Sequence, residues 1–164
     1  MTRTFFLCML LLNCSYAIAC SCSTLSIGQR VVQADIVTVG EVLDSRQICL
    51  ETIGGICYGP IIFYVQNSDV LKNDFVFGNK PRQLGKSIFM SFAGNCSFYP
   101  QKGQNLLLFG TLVNDTSNMY TTNVCSGNQV LEDSVQSQRI SEIRTFLDVY
   151  KDDSELKKHE SMGK

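Results

Sequence analysis

Cys20-Ser21-Cys22 follows at once on an apolar leader, and this junction constrains the chain more than any other stretch. Met1–Ala19 has the three parts of a secretory signal. Arg3 supplies the positive start, Phe5–Leu12 is an apolar run too short to span a bilayer, and Ala17 and Ala19 are small residues at a cleavage site. A bacterial lipoprotein signal would carry Leu three residues before the cysteine, where this chain has Ala17. Cleavage after Ala19 makes Cys20 the first mature residue, with a free α-amine. Two closely spaced cysteines can then fasten that terminus to the body of the domain.

Cys8 and Cys14 leave with the leader, so the mature chain keeps Cys20, Cys22, Cys49, Cys57, Cys96 and Cys125. An even set in an exported chain reads as a disulfide framework, and six cysteines leave many pairings open. A zinc site competes poorly with this reading. The cysteines lack knuckle spacing, and the sole histidine, His159, lies in a charged tail. That histidine also argues against an enzyme, because Ser-His or Cys-His chemistry would have to recruit it. No catalytic residue and no cofactor of the protein's own are expected. With Arg3 removed from the 14 Lys and Arg, 13 basic residues face 15 acidic ones, a net charge of −2. No basic face stands out, so nucleic acid is not an expected partner. No second apolar run reaches transmembrane length.

The mature length suits one domain. Ser23–Gln33 has loose helical spacing of Leu25, Ile27 and Val31 or Val32. Asp35–Leu43 reads as a β-branched strand bent at Gly40, and Gln47–Tyr58 as a hairpin with Gly54-Gly55 at its turn and Cys49 and Cys57 clasping its legs. The clasp reads as a stiffener of an exposed loop. Further strands are expected at Ile61–Leu71, Ser87–Ala93, Asn105–Val113 (with Gly110 inside it) and Met119–Cys125. Lys72–Lys86 reads as a loop, and Tyr99–Lys102 and Asn114–Asn118 as turns. Five strands with glycine bends predict a mainly β fold, a small Greek-key barrel. Gln129–Tyr150 becomes amphipathic from Ile140 onward, which predicts a helix packed on the barrel. Lys151–Lys164 is almost entirely charged or small and reads as a solvated, disordered tail.

A leader ending directly at Cys20-Ser21-Cys22-Ser23, followed by such a barrel, resembles the tissue inhibitors of metalloproteinases, whose N-terminal domain is a netrin-like module with an OB barrel. The resemblance spans roughly residues 20–150. Ala34-Asp35-Ile36-Val37 matches the family's first strand, and Asn95-Cys96 the end of its third. Lys102–Gly110 matches the approach to its glycine-containing fourth strand, and Cys125 the end of its last. The resemblance implies disulfides Cys20–Cys96 and Cys22–Cys125, with Cys49–Cys57 left as a local clasp. The family's further cysteine near Val32 and its partner are both absent here. The family's smaller second domain has no counterpart in residues 1–164, so functions belonging to that domain are not expected.

The resemblance further implies a secreted, extracellular inhibitor of zinc metalloproteinases. The α-amine and carbonyl of Cys20 would chelate the target protease's catalytic zinc, and Ser21 would point into the S1′ pocket. Cys22, Ser23 and Thr24, with Ala93, Gly94, Asn95 and Cys96, would form the flanking contact ridge. Extracellular matrix is a further expected partner. The other reading is a non-inhibitory extracellular module of the same fold that binds a matrix or signalling protein. Two sequons, Asn95-Cys96-Ser97 and Asn114-Asp115-Thr116, invite N-glycosylation. A glycan on Asn114 would sit harmlessly in a turn, whereas one on Asn95 would obstruct the ridge.

Overall fold

The computed structural model describes residues 22, 24–74, 76–77, 80–81, 85–92, 96–114 and 118–162, without the side chains of 76–77, 80–81, 133–136 and 152–162. Helix α1 (Ile27–Gln33) starts where the chain can satisfy its own end. Ser26 Oγ accepts from the Gln29 N–H, and the Ser26 N–H donates to Gln29 Oε1 at 2.9 Å, a reciprocal capping box. At the other end, Lys72 donates to the carbonyls of Val32 and Ala34, placing a cation where the helix exposes unpaired carbonyls.

The strands are β1 (Ile36–Gln47), β2 (Glu51–Ile53), β3 (Ile56–Tyr58), β4 (Ile61–Asn73), β5 (Val76–Phe77), β6 (Lys80–Pro81), β7 (Lys86–Ser91), β8 (Asn105–Leu112), β9 (Met119–Thr121) and β10 (Gln129–Val130). The main sheet runs β1-β4-β7-β9-β8, and β1 also pairs with β8, so five strands close on themselves. All neighbours are antiparallel except β7 and β9, which run parallel. This is the closed five-stranded Greek-key arrangement of the OB fold, and β10 adds a short sixth strand beside β8.

The continuous apolar runs of β1 and β8 are explained by burial on both faces. Ile36, Leu106 and Leu108 point into the barrel with Val42, Phe63, Val65, Phe89 and Tyr120. The alternate residues Val37, Val39, Leu107 and Phe109 form a second core with Val31 of α1 and with Ile143 and Leu147 of the C-terminal helix. Phe63 stacks on Phe89, and Phe89 meets Tyr120, each pair with centroids 5.5 Å apart. Closure of so small a barrel needs strands that bend and approach closely. The β1–β4 register shifts between Val39 and Gly40, where a Cβ on Gly40 would stand 2.5 Å from the Gln66 carbonyl oxygen.

Helix α2 (Asp133–Met162) covers the outer core, with Phe146 lying against Gly28 of α1. Its backbone continues through most of the 151–164 segment that the composition suggested as a tail. Glu155, Leu156, Lys157 and Lys158 are good helix formers, and propensity there acts in the absence of any apolar pattern. Other boundaries also differ from expectation: β1 runs to Gln47 rather than Leu43, and Gln129–Val130 forms β10 ahead of the helix. β4 runs two residues longer than Ile61–Leu71, short β5 and β6 pair within the expected Lys72–Lys86 loop, and β9 stops at Thr121 rather than reaching Cys125.

Candidate functional site at the cysteine-bearing end of the barrel

The early end of β9 has a local cause. Asn123 caps a single 3-10 turn (Val124–Ser126): its side chain accepts from the Cys125 N–H at 2.8 Å, and its own N–H donates to Ser126 Oγ at 3.1 Å. The side chain takes the place of a ladder partner and turns the backbone out of the sheet. Asn128 ties this turn to the barrel. It accepts from the Phe109 N–H at 2.9 Å and donates to Thr122 Oγ1 at 2.7 Å and to the Asn123 carbonyl at 3.0 Å. Buried Thr122 donates in turn to the Phe109 carbonyl at 2.7 Å. Each buried polar group in this relay has a partner, which is what low-dielectric burial requires.

Cys125 sits in that turn and is joined to Cys22 across 103 residues, with Cα atoms 5.1 Å apart. Cys96 reaches the same end by another route. The segment that carries it is tied to the end of β7 by Ser97 Oγ donating to the Phe92 carbonyl at 2.7 Å and by the Phe98 N–H donating to buried Ser91 Oγ at 2.7 Å. Phe98 is anchored edge-on against Phe63 of the barrel core. The Cys96 carbonyl then accepts from the Val124 N–H at 3.2 Å. The fold therefore gathers Cys22, Cys96 and Cys125 at one end of the barrel. Phe92, Tyr99 and Val124, close by along the same segments, are exposed.

Of the expected site residues, Cys22 and Thr24 are exposed and Cys96 is half-buried. Cys20, Ser21, Ser23, Ala93, Gly94 and Asn95 lie outside the described residues. Cys96 is disulfide-bonded, and the pairing expected for it, to Cys20, also lies outside them. The third bridge, Cys49–Cys57, clasps the β2–β3 hairpin. Asn114 of the second sequon is exposed, two residues past the end of β8. Among the described residues no group of three or more His, Cys, Asp and Glu could hold a metal, and no helix is long and apolar enough to cross a membrane.

Sequence reasoning missed Arg30. Its Nε donates to the Leu25 carbonyl at 3.2 Å and its Nη1 to the Cys125 carbonyl. It missed Asn123 and Asn128 as well. Asn123 ahead of a cysteine and Gly127 just behind are a turn signal that could have ended the last strand at Thr121. No protein-family model and no curated protein matches the chain.

Proposed function

We propose that the mature protein is a secreted inhibitor of zinc metalloendopeptidases, acting through the α-amine and carbonyl of Cys20. The observation that supports this reading is the convergence of Cys22, Cys96 and Cys125 at one end of an OB-type barrel. A chain entering at residue 20 starts beside Cys22, and Cys22 is covalently tied to a turn that is itself capped and braced. An amine nitrogen and carbonyl oxygen on one residue form a five-membered chelate. They would displace the water at the open position of a catalytic zinc. A terminus already fixed by disulfides loses little entropy on binding. Ser21 would enter the S1′ pocket, where a small side chain suits broad selectivity, and the exposed Phe92, Tyr99 and Val124 would widen the contact.

The test begins with the secreted protein. Mass spectrometry should find cleavage after Ala19, no acylation of Cys20 and no glycan on Asn95. Titration of a matrix metalloproteinase catalytic domain should then abolish peptide cleavage at near-stoichiometric inhibitor. A blocked Cys20 amine in the native secreted protein would sink the reading.

One observation favours a non-inhibitory binding module instead. The β2–β3 hairpin makes its own two-stranded sheet outside the barrel, and it exposes Ile48, Leu50, Ile53, Ile56 and Tyr58, Leu50 by 76%. Apolar side chains grouped on a disulfide-clasped projection fit a protein contact. In that case Leu50→Ser/Ile53→Ser/Ile56→Ser would abolish capture of a matrix or signalling partner while the added terminal residue described below changed nothing. Retained capture by this variant would reject the hairpin as the contact.

A further inference from the structure

Arg30 belongs by sequence to the last turn of a short helix, yet its guanidinium is spent elsewhere. It extends toward the entering chain and the 3-10 turn and donates to two backbone carbonyls, those of Leu25 and Cys125. The second of these is 95 residues away in sequence. Room for the side chain comes from Gly127, where an added Cβ would lie 2.7 Å from Arg30 Cδ and 2.9 Å from Nη1. The position also has a φ of +98°, so glycine serves both the backbone and the neighbouring guanidinium there.

Cys22 and Leu25 are therefore both fastened to one residue, Cys125. Cys22 is held by the disulfide, and Leu25 by Arg30. Burial does little to hold the described residues of this run. Thr24 is exposed and Leu25 only half-buried. Cavities of about 230 and 350 Å³ are each lined by both Leu25 and Arg30. Two hydrogen bonds from a charged, planar donor then decide where Leu25 lies.

We propose that Arg30 is a positioning residue: its guanidinium locks Leu25 onto the Cys125 turn, beside the Cys22 disulfide, and so sets the direction in which the chain presents its N-terminal residues. The inference rests on the inhibitory reading for its functional consequence, and on geometry alone for the lock. Without Arg30 the disulfide still holds Cys22, but the run from Cys22 to Leu25 pivots about that one point. Lysine at the same place offers a point charge without the planar fork, and so fixes the two carbonyls less rigidly. Because both hydrogen bonds are only part-buried, water replaces the lost donors and global stability changes little.

The experiment compares wild type, Arg30→Ala and Arg30→Lys in the mature, fully oxidised protein. Backbone ¹⁵N order parameters at Thr24 and Leu25 should fall from about 0.85 toward 0.6 or below in Arg30→Ala, with Arg30→Lys between. The melting temperature should stay within a few degrees. Affinity for a metalloproteinase catalytic domain should drop about 10- to 100-fold in Arg30→Ala, with partial rescue by Arg30→Lys. Unchanged order parameters in Arg30→Ala would overturn the lock whatever the protease assay gave. Increased motion with wild-type affinity would overturn the positioning role. Should Arg30→Ala fail to fold, Arg30→Lys carries the same test, and wild-type order at Thr24 and Leu25 in that variant would overturn the proposal. Increased motion in a protein whose wild type inhibits nothing would uphold the lock and remove the inhibitory reading.

Discussion

Replacing Cys22 and Cys125 together by serine should cost the domain far more stability than replacing Cys49 and Cys57. The two bridges close loops of very different length, 103 against 8 residues of separation. In the chain-entropy account, a cross-link stabilises by removing freedom from the unfolded chain, as the logarithm of loop length. That relation gives about 4.7 kcal/mol for the long loop and about 2.5 kcal/mol for the short one at 25 °C. With an unfolding entropy of about 0.3 kcal/mol/K for a domain of this length, the melting temperature falls by about 16 °C and about 8 °C. The location of each bridge supports the ordering. Cys125 lies in a turn braced by Asn123 and Asn128 against β8, whereas the clasped hairpin pairs only with itself. Calorimetry of the two double variants, with the remaining disulfides verified by mass spectrometry, measures the difference directly. Equal losses, or a larger loss from the hairpin pair, would refute the argument. They would mean that the hairpin supports the barrel or that residues 22 and 125 stay close in the unfolded chain.

Packing and titration supply two further tests. Gly110→Ala puts a methyl 2.8 Å from Phe89 Cε1 and from Tyr120 Cβ inside the barrel, so a loss of about 1–3 kcal/mol is expected by urea titration. Gly54→Ala meets open space but a φ of +59°, so its loss is about 1 kcal/mol, and a larger loss than at Gly110 would contradict the barrel packing. For the proposed inhibition, an ordinary α-amine titrates at ~7.7–8.0 and binds metal only when neutral. Affinity corrected for the protease's own profile should therefore weaken as pH falls below that range, approaching tenfold per unit, and a flat profile from pH 6 to 8.5 would exclude amine chelation.

Much of the barrel was legible because its strands carry unusual patterns. The IVTV and LLLF runs of β1 and β8 announce burial on both faces, and Gly40 and Gly110 mark where the strands bend or crowd. The spacing from Ile140 to Leu147 announced the packed face of α2. The partnering of β1 with β8 and the parallel pairing of β7 with β9 had no such signal, because ladder partners far apart in sequence leave no local pattern. The site divides in the same way. The cysteines were visible as a framework, but the turn that carries Cys125 is built from an Asn123 side chain competing with the sheet for one N–H. Arg30 was invisible for a related reason. Its acceptors are backbone carbonyls, which every residue type offers, so nothing in the residue identities marks the contact.

The measurement that bears most directly on the proposed function is a paired titration of a matrix metalloproteinase catalytic domain. One arm uses the mature protein beginning at Cys20, and the other the same protein with a single alanine added before Cys20. The proposal predicts tight inhibition by the first and its loss, by at least a hundredfold in affinity, in the second, while both melt at the same temperature. Equal inhibition by the two forms would contradict chelation through the Cys20 terminus. No inhibition by either, across several metalloproteinases and with Asn95 free of glycan, would contradict the inhibitory function itself.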